Sequence, residues 1–312
     1  MPMETPTIPT PPASPTAQPR RFDRAVEEAR PGEAAPGPRV AAGDLEAALD
    51  RSTLSEGSRE LARGLLRTAR PAVFPGGGLG LDYASLLKTA ARPDVVGAHV
   101  REAARHLTDR DVDLLFVPGM SGYPIGAMYS LASGIPAALL KKQRHALEPA
   151  AASGAGPYPA GAFIIPSYTG DGDTVISADL AAVRDILAEL VVGQLALQEG
   201  VAAPRVSIRV AGADEIIDKA TMAQAITETA PEVCHAVVRG ILDGLPEAAG
   251  RDVAVDVRVV AWVTPLLKGY HRAAERLAAR TGVVPFAGLT ITAVQLDPPA
   301  IGVAGLGLVE VG

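Results

Sequence analysis

The chain has a single cysteine, Cys234, in 312 residues. That excludes an internal disulfide and any multi-cysteine metal site, and it fits a reducing, cytoplasmic compartment. No run of about 18 apolar residues occurs, so nothing reads as a membrane-spanning helix. The N-terminal segment lacks the basic-then-apolar order of a signal peptide. Basic residues are in deficit, 29 Lys and Arg against 35 Asp and Glu, for a formal net charge of −6. This balance gives no general attraction to nucleic acid or to an anionic membrane. No Ser–His–Asp set is legible, and the five histidines are scattered without metal-ligand spacing. Cys234 falls in a predicted helix and reads as a small apolar filler.

What is present is apolar enough to build a core, since hydrophobic residues make up 48% of the chain. Residues 1–39, dominated by Pro, Thr, Ala and Ser at the start, predict a disordered, solvated tail. Residues 40–312 predict one domain. Helical spacing is expected from Asp44 to Asp50, from Leu54 to Arg67, and from Asp82 to Leu107 with a break at Pro93. The segment Pro71–Gly80 reads as a loop. It contains PGGGLG, but the spacing is not that of a dinucleotide fingerprint.

Asp113-Leu-Leu-Phe-Val117 is a short apolar run ended by Pro118-Gly119, which suits a strand buried on both faces. A helix near Ile125–Ser133 and a second apolar run, Ala137–Leu140, follow. Strand, helix, strand is the parallel crossover of an α/β sheet. Further strands are expected at Ala162–Ile165, Val206–Val210, Val253–Val263, Leu289–Leu296 and Ile301–Val311. Helices are expected after Ser177, over Asp214–Gly240 and over Gly269–Arg280. The alternation predicts an α/β class.

Three segments invite a functional reading. In Tyr168-Thr-Gly-Asp-Gly-Asp-Thr-Val-Ile-Ser177 a strand enters a loop with two glycines, Gly170 and Gly172, ahead of a helix. Such a loop can turn its N–H groups toward a phosphate, with the Thr169, Thr174 and Ser177 hydroxyls as further donors. The bland alternative is an ordinary turn with Asp and Thr capping the helix. No Lys stands where a Walker loop needs one. Asp171 and Asp173 would repel a bare phosphate. They suit sugar hydroxyls or a hydrated magnesium ion instead. The second segment, Val117-Pro-Gly-Met-Ser-Gly-Tyr-Pro-Ile-Gly126, also links a strand to a helix, and Gly119, Ser121 and Gly122 could hold a second phosphate. The third is Lys141-Lys142-Gln-Arg144 directly after a buried strand, either a solvated charge run or a polyphosphate contact.

In this order the segments resemble the type I phosphoribosyltransferases, above all the adenine and orotate members. The resemblance spans roughly Pro71–Gly200 and Val253–Leu296 and leaves an apparent insertion near 203–250. It implies a parallel-sheet phosphoribosyltransferase-like fold with helices on both faces. It also implies a pyrophosphate loop at Pro118–Gly126, a basic pair at Lys141-Lys142, a lid at Gln143–Pro159 and a 5-phosphate loop at Ile165–Ser177. Val263–Tyr270 and Val284–Ile291 look like the family's closing segments. The implied activity is that of a pentosyltransferase in nucleotide metabolism. It would move a 5-phosphoribosyl group from phosphoribosyl pyrophosphate (PRPP) to a heterocyclic acceptor, with Mg2+ as cofactor and homodimerisation as an option. Lys142, Asp171 and Asp173 would act in catalysis, the two aspartates holding the metal. Gly119, Ser121, Gly122, Lys141, Thr169, Gly170, Gly172, Thr174 and Ser177 would bind substrate. One departure stands out. The family's two adjacent acidic residues before the phosphate loop fall on Pro166 and Ser167, which leaves a non-catalytic PRPP or nucleotide sensor, or an enzyme of specialised metabolism using another phosphosugar, as alternatives.

Overall fold

The computed structural model describes residues 19–22, 38–73, 79–87, 92–144, 161–166 and 173–311. The lid expected at Gln143–Pro159 therefore lies almost wholly outside the described residues, as do Thr169, Gly170, Asp171 and Gly172.

The frame is a mixed sheet. Its strands are β1 (Arg20–Arg21), β2 (Arg39–Val40), β5 (Leu114–Pro118), β6 (Ala137–Arg144), β7 (Phe163–Pro166), β8 (Asp173–Ser177), β9 (Arg205–Ala213), β10 (Ile216–Ile217), β11 (Ala254–Lys268), β12 (Phe286–Leu296), β13 (Pro299–Val303) and β14 (Gly307–Glu310). The spatial order is β1-β7-β8-β6-β5-β9-β11-β12-β13-β14-β2, with β10 beside β11. The middle, β6-β5-β9-β11-β12, is parallel throughout. A separate antiparallel hairpin joins β3 (Arg70–Val73) to β4 (Leu79–Asp82), so the glycine-rich stretch expected as a plain loop is flanked by paired strands.

Alternation along the strands sorts the core into two layers. Leu115 and Val117 of β5 and Ala211 and Ala213 of β9 pack with α1 (Leu45–Arg51), α2 (Glu56–Thr68), α3 (Ala84–Leu87), α4 (Pro93–Thr108) and α5 (Tyr123–Ser133). Leu114 and Phe116 of β5 and Val206, Ile208 and Val210 of β9 pack with α6 (Leu180–Ala196), α7 (Thr221–Leu242) and α8 (Ala273–Thr281) on the other side. The α/β class, the parallel sheet and helices on both faces agree with the sequence reading. α4 starts at Pro93, the position where a missing N–H costs a helix nothing. Among the described residues no helix is long and apolar enough to cross a membrane.

Two expectations about organisation are revised. Residues 203–250, read as an insertion, supply β9 at the centre of the sheet and α7 against it. Fully buried Trp262 of β11 donates its indole N–H to Thr227 Oγ1 of α7 at 2.8 Å, which fixes that helix relative to the sheet. Part of the N-terminal tail is also ordered. Arg20–Arg21 pairs in parallel with β7, Phe22 is buried edge-on against Phe163, and Arg39–Val40 pairs with β14 at the opposite end of the sheet. Composition alone hides this, because it takes only two or three residues to add an edge strand.

Candidate functional site at the carboxyl edge of the sheet

Ligands of open α/β sheets sit beyond the carboxyl ends of parallel strands. Here β5 and β9 end side by side, and β11 runs on past them to Lys268. β5 runs into Pro118, a cis Gly119–Met120 peptide, and a turn that closes with the Gly126 N–H donating to Gly122 O at 2.9 Å. The turn is tight against its neighbours. A Cβ on Gly119 would meet Leu140 O at 2.6 Å and the Tyr123 hydroxyl. The same Leu140 carbonyl accepts from Gly119 N at 3.1 Å and from Tyr123 Oη at 2.6 Å. Glycine is required at that position because the backbone of β6 leaves no room for a side chain.

β9 is apolar over its last four residues, Val210–Ala213, and then changes character at Asp214-Glu215. Asp214 N donates to Val263 O of β11 at 3.2 Å, so the sheet still holds the backbone where the acids begin. Glu215 N donates to Asp214 Oδ1 at 2.9 Å. Glu215 is buried, 3% exposed. The buried Tyr83 hydroxyl bonds to it, and burial pushes that phenol well above its usual range, with the charges of Glu215, Asp214 and Asp218 adding to the effect. Three carboxylates therefore converge on one phenol. Behind Asp214, the wholly buried Tyr129 pairs its hydroxyl with His99 Nε2 at 2.8 Å, and burial pulls His99 down to about 4, so the ring is neutral.

After the acids the chain pairs briefly with β11 through Ile216 and Ile217 and reaches Asp218. Asp218 accepts from Lys268 Nζ at 2.7 Å, and His271 Nε2 lies 3.3 Å from its other oxygen. Burial lowers His271 to about 4, with Lys268, Lys219 and Arg276 acting in the same sense and Asp218 opposing them. α7 then starts from Ala220, which has a left-handed φ of 64° and gives the helix no side-chain cap. The first N–H groups of a 22-residue helix thus point to this edge.

The predicted site residues divide. Gly119, Ser121 and Gly122 lie at this edge, in the turn that touches Asp214. Thr174 and Ser177 do not lie in a phosphate loop. They belong to β8, which pairs antiparallel with both β7 and β6. The β-branched run Thr174-Val175-Ile176 favours a strand over a cradle, and the helix begins only after Asp179, whose carboxylate caps Ala181 N and Ala182 N. Thr174 is fully buried and its hydroxyl has no hydrogen-bond partner among the described residues. Asp173, expected to hold metal, is instead committed to Arg21 in a two-pronged ion pair of 2.6 and 3.1 Å. Lys141 is held by Asp179 at 2.7 Å, while Lys142, half-buried, falls on the opposite face of β6. β8 sits three strands from β9, roughly 14 Å away at ordinary strand spacing.

The sequence reading missed Asp214, Glu215, Asp218, Lys268 and His271. An adjacent acidic pair, missing at Pro166-Ser167, is present at Asp214-Glu215 ahead of a loop and a long helix. The signal was legible as the apolar run Val210–Ala213 ending in adjacent acids. As for magnesium, no cluster of three or more metal-ligating side chains occurs among the described residues. Two adjacent carboxylates fit a hard cation that keeps most of its waters and shares substrate phosphates.

No family model and no curated protein matches the sequence. Solved structures do show similarity. The chain is similar to the adenine phosphoribosyltransferase of Saccharomyces cerevisiae at 14% identity and a TM-score of 0.44, with 74% of this chain and 98% of that one covered. For the adenine phosphoribosyltransferase of Rhodothermus marinus the values are 13%, 0.43, 78% and 99%. For the orotate phosphoribosyltransferase of Aeropyrum pernix they are 15%, 0.35, 75% and 92%. The likeness is one of backbone course, and what this chain binds has to be read from its own residues.

Proposed function

We propose that the chain is a phosphoribosyltransferase whose substrate site is the edge formed by Pro118–Gly122, Asp214-Glu215 and the head of α7. The observation that carries the reading is the adjacent acidic pair at the end of the central strand, set against the Gly122 turn. In this reading Asp214 and Glu215 accept hydrogen bonds from the ribose hydroxyls. The uncapped N-terminus of α7 takes the 5-phosphate, and the Gly119–Gly122 turn takes the pyrophosphate. Transfer breaks the bond between the anomeric carbon and pyrophosphate and forms one to a nitrogen of a heterocyclic acceptor, through an oxocarbenium-like state. The protein's part is to align the two partners and to stabilise the departing charge. A magnesium ion, when bound beside Asp214 and Glu215, supplies charge neutralisation to the pyrophosphate.

A second reading, a phosphosugar-binding regulator without turnover, draws on one observation: Lys141, expected to bind substrate as half of the basic pair, is already paired with Asp179. One experiment separates them. Calorimetric titration with PRPP and magnesium, followed by a pyrophosphate-release assay over a panel of bases, gives binding with turnover in the first case and binding alone in the second. No binding at all removes both.

A further inference from the structure

The Asp218–Lys268–His271 group has a chemistry of its own. Lys268 is held well inside the edge, its side chain 16% exposed, and its counter-ion is the carboxylate of the residue three positions before α7. A cation so placed needs an anion beside it. Asp218 supplies one charge and two oxygens, but only one is hydrogen-bonded, to Lys268; the other, 3.3 Å from His271 Nε2, is buried and has no hydrogen-bond partner among the described residues. A donor is left over. The Tyr270 hydroxyl, on a residue that is 9% exposed, has no hydrogen-bond partner among the described residues. Tyr270 also lies under Lys268, whose Nζ is 6.0 Å from its ring centre. α7 adds uncapped N–H groups at the same loop. Asp218, turned to Lys268, thus leaves the Tyr270 hydroxyl and the head of α7 without a side-chain acceptor. Asp218 is the most open member, its side chain 27% exposed.

We propose that Asp218 is a displaceable internal counter-ion: it holds Lys268 in place in the empty site and gives it up to an incoming phosphate monoester. A phosphate monoester brings three oxygens and close to two charges at neutral pH. It can therefore satisfy Lys268, the Tyr270 hydroxyl and the α7 amides together, which the carboxylate cannot. Asp218 sets affinity by competing for the same lysine. It makes weakly charged anions poor ligands and reserves the seat for a dianion. The proposal rests on the functional reading above only for where the phosphate sits, and its test needs no turnover.

The test is calorimetric titration of the full chain with inorganic phosphate and with ribose 5-phosphate. Removing the competitor in Asp218→Asn is expected to tighten both ligands about tenfold, the scale of one charge-assisted contact. Lys268→Met is expected to weaken both by at least that factor. Affinity that is unchanged or weaker in Asp218→Asn overturns the proposal, as does wild-type affinity in Lys268→Met or no phosphate binding by either form. In the unmodified chain, amine-selective labelling of Lys268, mapped by mass spectrometry, should fall when ribose 5-phosphate is added, and unchanged labelling overturns the proposal without any variant. A chain that shows the competition but releases no pyrophosphate from PRPP keeps this inference and loses the transferase reading.

Discussion

The carboxylate of Asp214 lies directly over the backbone of Gly122. A Cβ built on that glycine would come within 2.8 Å of Asp214 Oδ1 and 2.8 Å of Pro118 O. This contact joins the turn after β5 to the end of β9, two segments 92 residues apart, counted from position 122 to position 214. It brings the turn after β5 and the acidic pair together at one edge of the sheet.

Gly122→Ala is therefore expected to damage the site more than the fold. Asp214 can swing away but Pro118 O is backbone, so the turn itself must shift along with the carboxylate. Overpacking of this kind costs about 1–3 kcal/mol. Ribose 5-phosphate affinity should drop by roughly tenfold or more, each tenfold being about 1.4 kcal/mol, while the far-ultraviolet circular dichroism is unchanged. Wild-type affinity in this variant would separate Asp214 from the ligand.

The sheet was legible because its signal is local. Leu114–Val117 is an unbroken apolar run, and a strand buried on both faces needs nothing else. The site was less legible because its residues carry two meanings. Asp214, ahead of an amphipathic stretch, reads as a helix cap, and the sequence reading began the helix there. The helix begins at Thr221 because Ile216 and Ile217 pair with Leu266 and Leu267, a contact invisible in the local sequence. The glycines at 170 and 172, outside the described residues, drew attention to the segment ahead of β8 and away from the end of β9. The β-branched Thr174-Val175-Ile176 beside them was the stronger physical signal, and it makes a strand. Lys268 and His271 gave no signal at all, since only the parallel pairing of β10 with β11 brings them to Asp218.

The N-terminal segment is expected to contribute to stability through Arg21 and Phe22, against the reading of residues 1–39 as a disordered, solvated tail. Phe22 is buried against Phe163, so Phe22→Ala should cost about 3 kcal/mol, the low end for a buried phenylalanine, at an edge strand. Arg21 is more than half exposed, so Arg21→Ala should cost no more than about 1 kcal/mol despite its two-pronged contact with Asp173. Chemical denaturation of the two variants and of a chain starting at Val40 measures both. If the shortened chain is as stable as the full one, the edge strand does not matter.

Acid should destabilise the chain through His99. This ring is buried, with Phe286 stacked on it and Tyr129 edge-on, and burial lowers its pKa to about 4, with Glu102 opposing weakly. The folded state therefore refuses a proton that the unfolded chain accepts near 6.5. Above 6.5 neither state is protonated and nothing is lost. As pH falls from 6.5 toward 4 the unfolded state alone gains the proton, and stability falls by up to about 1.4 kcal/mol per pH unit. His99→Asn keeps a neutral polar group there and should flatten the slope between pH 6.5 and 4 while lowering stability at pH 7. An equal slope in the two chains would show that other groups govern the acid response.

The acidic pair and Asp218 should respond in opposite directions to the same chemical change. Glu215 is buried and receives the Tyr83 hydroxyl, while Asp214 leans on Gly122. If both accept hydrogen bonds from ribose hydroxyls, Glu215→Gln and Asp214→Asn each replace a charged acceptor with a neutral amide. A hydrogen bond to a charged group is worth about 1.5–3 kcal/mol, so ribose 5-phosphate should bind at least about tenfold more weakly in either variant. Inorganic phosphate has no diol, so removing a nearby negative charge should leave its affinity unchanged or improve it. Asp218→Asn, by contrast, should tighten both ligands, because that carboxylate competes with phosphate for Lys268 rather than binding sugar. Measured together, the three variants and two ligands form a pattern that simple charge removal cannot produce. Simple charge removal would tighten ribose 5-phosphate in all three, and that result would take Asp214 and Glu215 out of sugar recognition.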